Sequence, residues 1–186
     1  MSRRQEIADV AIGLLAAQGM RGLTHRAVDR AAGLPEGSTS YYFRTRQALL
    51  RATAERLADH TAAELTAVES SLTNRDDLVE AAAELVGQWL TTGRERQLAR
   101  YELSLEATRR PELREALLAG RARLRDMAAR MLDGSGVPDA DRLAGDLIAY
   151  ADGLVLDHLL RQGDQPAEGP DLLPRIRTLL AAAGLS

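Results

Sequence analysis

Residues Leu23 to Leu50 read LTHRAVDRAAGLPEGSTSYYFRTRQALL. Val28 and Ala31 share one side of a short helix that Thr24 is placed to cap and Gly33 to close. Leu34-Pro35 makes the turn, because proline cannot continue a helix and its fixed φ suits the start of the next one. A third helix is predicted over 36–43, and Thr45 then caps a long fourth. Tyr41, Tyr42 and Phe43 stand in a row between arginines, in a chain with only 4 Tyr, 1 Trp and 1 Phe. A chain so short of aromatics would ordinarily place them in its core. Three of them on one short helix among Thr, Ser and Arg point to a surface that stacks on, and hydrogen-bonds to, a polyanion. DNA is the obvious candidate.

Outward from this stretch the pattern is helical throughout. Ile7, Val10, Ala11, Leu14 and Leu15 repeat at helical spacing, and Gly19 ends the first helix near Gln18. The fourth helix carries Leu50, Ala54, Leu57, Thr61, Leu65, Val68 and Leu72 as its apolar stripe. Five more are predicted at 75–91, 95–109, 112–132, 139–162 and 171–183, divided by Thr92-Gly93, Arg110-Pro111 and two Gly- and Pro-bearing loops. Residues that favour strands never alternate as a sheet requires. The fold class is therefore all-α, about nine helices, with a three-helix head at 1–46 and a larger helical body at 47–186.

Charge divides along the same line. Residues 1–51 hold eight arginines against four acids, net +4, and the remainder is net −7. A basic head on an acidic body suits a protein that touches phosphates at one end only. Every basic residue is Arg, which a GC-rich coding sequence explains more cheaply than phosphate recognition does. There is no cysteine, hence neither disulfide nor thiolate chemistry. The absence of a signal-peptide pattern or a membrane-length apolar run predicts a cytoplasmic protein with no membrane partner.

A helix-turn-helix needs one helix braced across the phosphate backbone and a second, with small residues and a few long polar ones, set in the major groove. Thr24 and His25 begin the bracing helix here. Glu36-Gly37-Ser38-Thr39-Ser40 opens the reading helix, Tyr41 and Tyr42 project next, and Phe43 turns inward as core. Arg44 and Arg46 bring charge to the start of the fourth helix. This stretch resembles the DNA-binding head of the TetR family of transcriptional regulators, through Gly19, Leu23-Thr24, Arg26, Val28, Ala32-Gly33-Leu34, Gly37, Tyr41, Phe43, Arg46 and Leu49-Leu50. The motif covers about the first 55 residues. The resemblance implies that Arg26 reaches a guanine and that Gly37, Ser38, Ser40, Tyr41 and Tyr42 face the groove or its walls. It implies phosphate contacts for Thr24, His25 and Arg46. The chain departs from the family pattern at Ser40, at Tyr42 and at Asp29, where a small residue is usual. Asp29 is expected either to pair with a nearby arginine or to cap the third helix, since a carboxylate facing DNA would repel it.

Nothing in the body spells out an enzyme, a metal site or a cofactor. The three histidines, His25, His60 and His158, lack ligand spacing, and no nucleophile or phosphate-loop motif occurs. Glu102 and Glu106 are four apart on one helix, a pair more often solvated than catalytic. Trp89, Tyr101, Met127 and Tyr150 are large side chains on four helices, the expected walls of an effector pocket for an apolar or cationic small molecule. The helix at 139–162 is apolar on more than one side, so one side is expected to face a second copy. Leu154, Asp157, His158 and Leu159, with Ile176 and Leu180 of the last helix, are the candidate homodimer interface. The reading is a dimeric, ligand-responsive regulator, most simply a repressor that a small molecule releases from a palindromic double-stranded operator. Activation, ligand-insensitive regulation, or a helical small-molecule binder with a basic protein-interaction head are the alternatives.

Overall fold

The computed structural model describes residues 2–72 and 75–163, with 174, 175 and 178 beyond them. Among the described residues eight helices follow one another: α1 Arg3–Gly22, α2 His25–Ala31, α3 Ser38–Tyr42, α4 Arg46–Ser71, α5 Arg75–Leu90, α6 Arg94–Ala107, α7 Pro111–Gly134 and α8 Ala140–Gln162. Among the described residues there is no strand. The ninth helix expected at 171–183 falls outside them apart from the three isolated positions, and with it Ile176 and Leu180.

Local chemistry accounts for the boundaries. Ser2 and Gln5 form a capping box at α1, the Gln5 N–H donating to Ser2 Oγ at 3.3 Å and the Ser2 N–H to Gln5 Oε1 at 2.7 Å. Gly19 interrupts α1 at φ 63°, ψ −168°, one residue past the end read from the sequence, and a short helical segment then continues to Gly22. Thr24 Oγ1 accepts from the Ala27 N–H at 3.1 Å, and Thr45 Oγ1 accepts from the Ala48 N–H at 3.0 Å, so both threonines cap as their positions suggest. The third helix is shorter than 36–43, because Gly37 sits in the left-handed region at φ 93° and only from Ser38 can helical geometry begin.

The chain packs as two compact units: one of residues 1–60 and 95–121, the other of 61–94 and 122–186. The core of the first unit takes Ile7, Ala11, Ile12, Leu14 and Leu15 from α1, Val28 from α2, and Leu49, Leu50, Ala54 and Leu57 from α4. Leu23, between α1 and α2, and Phe43, at the end of α3, are enclosed with them. The same core continues through Ala99, Leu103 and Ala107 of α6 and Leu113 of α7. The three-helix head thus shares its core with later helices. Asp9 of α1 fastens α4 beneath it, accepting from Arg56 Nε at 2.8 Å, Arg56 Nη2 at 2.9 Å and His60 Nε2 at 2.8 Å. In the second unit α5 packs on α8. Leu78, Leu85, Val86 and Leu90 are buried there with Met131 and Leu132 of α7 and Leu143, Val155 and Leu159 of α8.

Phe43 is the largest of the fully enclosed side chains, 1% exposed. Phe43→Ala should lower unfolding stability by about 3–5 kcal/mol, the usual cost of deleting a buried ring. Urea denaturation followed by circular dichroism would measure it, and a loss below about 1 kcal/mol would show that the head repacks freely.

Candidate nucleic-acid interface and effector cavity

Five residues are too few to form a stable helix alone, so α3 depends on what holds it. Asp29 of α2 does this. Its Oδ1 accepts from the Thr39 N–H at 2.7 Å and the Thr39 hydroxyl at 2.6 Å, and its Oδ2 accepts from the Gly37 N–H at 2.8 Å. Of the two roles open to Asp29, the structure selects the cap of the third helix. Burial pushes this carboxyl up, but the Thr39 hydroxyl, the two backbone N–H groups and the nearby His25 outweigh that and hold it below its ordinary value of 3.8. The far end of α3 is tied as well. His25 Nε2 donates to the Phe43 carbonyl at 2.7 Å, and Arg4 Nη1 donates to the Tyr42 carbonyl at 2.9 Å. The Arg4 guanidinium also lies 4.5 Å from the centre of the Phe43 ring.

So anchored, α3 offers one face to solvent. Tyr41 is 81% exposed, far more than an aromatic ring is left without a purpose, and Ser40 and Arg44 beside it are exposed too. Tyr42 is half-buried against the head core and meets Tyr41 edge-on, ring centres 5.2 Å apart. Arg26 is exposed and paired with Glu36, Nε to Oε1 at 2.9 Å. Ser38 donates its hydroxyl to the Pro35 carbonyl at 2.6 Å, Thr24 stays exposed at its cap, and Gly37 forms the turn.

Two of the proposed phosphate ligands are engaged inside the protein. A carbonyl only accepts, so His25 Nε2 carries its proton and is used on Phe43. Arg46 donates through Nη2 to the Met20 carbonyl. Met20 is held from the other side also, its N–H donating to Glu102 Oε2 at 3.2 Å, which the kink at Gly19 leaves free to do so. Glu102 is thereby a structural acceptor, and Glu106 is paired with Arg110. Neither carboxylate is set up for catalysis.

In the second unit α4, α5, α7 and α8 enclose a cavity of about 120 Å³. Trp89 and Tyr150 line it, together with Leu65, Val68, Leu78, Leu85, Met131, Leu147, Ile148 and Leu154. The other two expected wall residues are elsewhere. Met127 is buried off the cavity, one helical turn before Met131, and Tyr101 belongs to the first unit, with the Arg100 guanidinium 4.6 Å from its ring. An apolar stripe in sequence marks which residues are inside without saying which of them border a void. Trp89 Nε1, at the cavity wall, donates to Glu64 Oε2 at 2.8 Å. Glu64 escaped the sequence reading because it is one acid among many on an amphipathic helix.

The apolar outer face of α8 also differs from the one expected. Leu159 is buried within its own unit and Leu154 turns to the cavity. Asp157 is paired with Arg161, and Nε2 of His158 is enclosed. Tyr150, Gly153, Leu156 and Leu160 are the exposed apolar positions instead, Leu160 at 76%.

A short helix locked by Asp29, bracing helix before it and bare aromatic face outward, is a helix-turn-helix head in geometry as in sequence. Residues 7–53 match the profile of bacterial regulatory proteins of the tetR family, and residues 73–183 that of the tetracyclin repressor-like C-terminal domain. The chain belongs to the TetR family of transcriptional regulators. Solved structures share this fold. A TetR family member from Streptomyces coelicolor A3 is 30% identical, with 98% of both chains covered and a TM-score of 0.76. The multidrug binding protein EbrR, complexed with ethidium, is 30% identical over 98% of both chains at a TM-score of 0.73. A transcriptional regulator from Rhodococcus sp. Rha1 shares the fold at 24% identity, covering 97% of each chain at a TM-score of 0.79. No curated protein matches the chain. TetR regulators are DNA-binding transcription factors and not enzymes. Among the described residues no helix is long and apolar enough to cross a membrane.

The TetR head should betray its dependence on Asp29 through pH. A carboxyl held below 3.8 when folded adds stability above that value and loses it as pH falls through the folded pKa. Asp29→Asn should cost about 1–3 kcal/mol at neutral pH, since an amide cannot accept on both sides. The gap between wild type and variant should narrow in thermal melts taken below the ordinary carboxylate range. A gap that stays constant down to that range would remove the charge from the account.

Proposed function

We propose that this TetR regulator is a homodimeric repressor of the cytoplasm, which holds a palindromic operator and lets go when a small apolar or cationic molecule enters its body. Residues 1–46 read the DNA, and 47–186 carry effector binding and dimerisation. The observation that carries the reading is the outward face of α3, where Tyr41 and Ser40 are exposed beside Arg44 and Arg26 on a helix fixed at both ends. Arg26 reads a base edge once it leaves Glu36. That release costs little, since the two side chains are 82% and 74% exposed and such pairs are worth about 0–1 kcal/mol. Gly37, Ser38 and Tyr42 shape the groove-facing surface, while Thr24 and the free side of His25 lie on the phosphate backbone. Arg46 braces the end of α1, and reaches phosphate only by leaving Met20.

Dimerisation through the outer face of α8 is supported by its bare apolar row, Tyr150, Gly153, Leu156 and Leu160. Two heads fixed at one spacing fit successive major grooves, and an effector that prefers another spacing shifts the population away from DNA. Support for effector response comes from the cavity in the second unit and from EbrR, a multidrug binding protein whose structures hold ethidium, proflavin and malachite green.

The palindrome flanking the protein's own gene, in a salt-titrated gel shift, is the direct test. Arg26→Ala should lose about 1–3 kcal/mol on that site, much less on random DNA, and relax preference at one base pair per half-site. Equal weakening on every sequence would make Arg26 a phosphate clamp instead. Leu160→Arg should sediment as a monomer and bind the palindrome only weakly, with its helical content intact. A dimeric Leu160→Arg protein would move the interface off this face.

A further inference from the structure

Residues 1–51 hold four acids, and three of them are spent on joining helices or flanking one. Glu6 pairs with Arg3 within α1, Asp9 ties α1 to α4 through Arg56 and His60, and Asp29 caps α3 from a buried position. Glu36 is the exception. It stands in the turn that leads into α3, its side chain 74% exposed, and pairs with Arg26, Nε to Oε1 at 2.9 Å. The turn is fixed around it. The Pro35 carbonyl accepts from the Ser38 N–H at 3.1 Å and from the Ser38 hydroxyl at 2.6 Å, and the Gly37 N–H donates to Asp29. A carboxylate carried there, at the start of the reading helix, repels the phosphates that the head approaches. It weakens binding to every duplex that does not offer it a hydrogen-bond donor.

The exchange at Arg26 decides which donor that is. When Arg26 moves to a base edge, Glu36 gives up this partner just as docking takes water from it, and a charge enclosed without a donor is costly. In the major groove, guanine and thymine present acceptors, and adenine sets its N7 acceptor beside its N6 amino group. Cytosine presents the N4 amino donor with no acceptor of its own. Cytosine is therefore the base that a carboxylate selects. Its position follows from distance. Arg26 and Glu36 separate, so they meet different base pairs, yet they start 2.9 Å apart, against roughly 3.4 Å between stacked bases. The second pair is the next one along. We propose that Glu36 is a specificity-determining residue, accepting a hydrogen bond from the N4 amino group of a cytosine in the base pair adjacent to the one that Arg26 reads. The proposal rests on the reading of Arg26 above and gives each half-site a second specified position.

The test uses the full chain, selection from a random duplex library, and gel-shift titration of the selected sites. Arg26→Ala first marks the base pair that Arg26 reads. In the wild-type site a neighbour of that pair should be C·G, favoured by about tenfold over T·A, whose O4 acceptor would meet the carboxylate. Glu36→Gln should transfer the preference at this neighbour to A·T, because an amide donates to adenine N7 and accepts from N6 together. Glu36→Ala should show no preference there and bind random DNA more tightly than the wild type. Both variants should keep the pair marked by Arg26→Ala. A wild-type site with no cytosine preference beside that pair overturns the proposal, and this comparison needs no Glu36 variant to fold. A cytosine preference that survives Glu36→Gln overturns it as well. So does a Glu36→Gln protein that binds every sequence more tightly to the same degree, since Glu36 would then be a repulsive charge and nothing more. If Arg26→Ala weakens all sequences alike, the reading of Arg26 fails and takes this proposal with it. If Arg26→Ala marks a pair and Glu36→Gln changes no base preference, the proposal fails alone.

Discussion

The Asp29 carboxylate sets the position of the reading helix, and much else in the head follows from it. A helix of five residues has too few internal hydrogen bonds to offset the cost of ordering them. Three charge-assisted or buried hydrogen bonds from Gly37 and Thr39 to one side chain of α2 supply what α3 lacks. Because Asp29 is itself enclosed, the bonds are shielded from water and their geometry is fixed. The outward face of α3 can therefore be occupied by residues that contribute nothing to folding. Tyr41 and Ser40 stand exposed on that face, outside the core that holds α3.

The head also leans on helices far along the chain. Ala99, Leu103, Ala107 and Leu113 complete the core begun by Ile7, Val28 and Phe43, so the hydrophobic stabilisation of the DNA-reading segment includes α6 and α7. The Met20 peptide concentrates this dependence at one point, with its N–H on Glu102 and its carbonyl taking a bond from Arg46. The helix break at Gly19 makes that possible, since an unbroken α1 would use the Met20 N–H internally. The end of α1, immediately before the bracing helix, is thus tied to α6 through Glu102.

Apolar packing and polar recognition are separated in the second unit in the same way. Leucines, valines and methionine make the cavity a space that water has little reason to occupy, and the indole N–H of Trp89 in its wall is satisfied by Glu64.

Local spacing was enough to determine the eight described helices, the caps at Thr24 and Thr45, the turn at Leu34-Pro35, the burial of Phe43 and the family, since each rests on residues within a few positions of one another. Leu159 shows where that ends. It lies on a helix apolar on more than one side, and only the packing of α5 on α8 decides that Leu159 is inside and Leu160 outside. Tyr101 and Met127 were legible as large and apolar, but a cavity is defined by what fails to fill it, a property of several helices at once. His25 and Arg46 stand at DNA-contacting positions by motif, yet whether their hydrogen-bonding atoms are free depends on the carbonyls of Phe43 and Met20 that the fold brings beside them. Periodicity along a chain records which face of an element is buried. Against what, and with which polar atoms already satisfied, is decided by contacts between residues far apart in sequence.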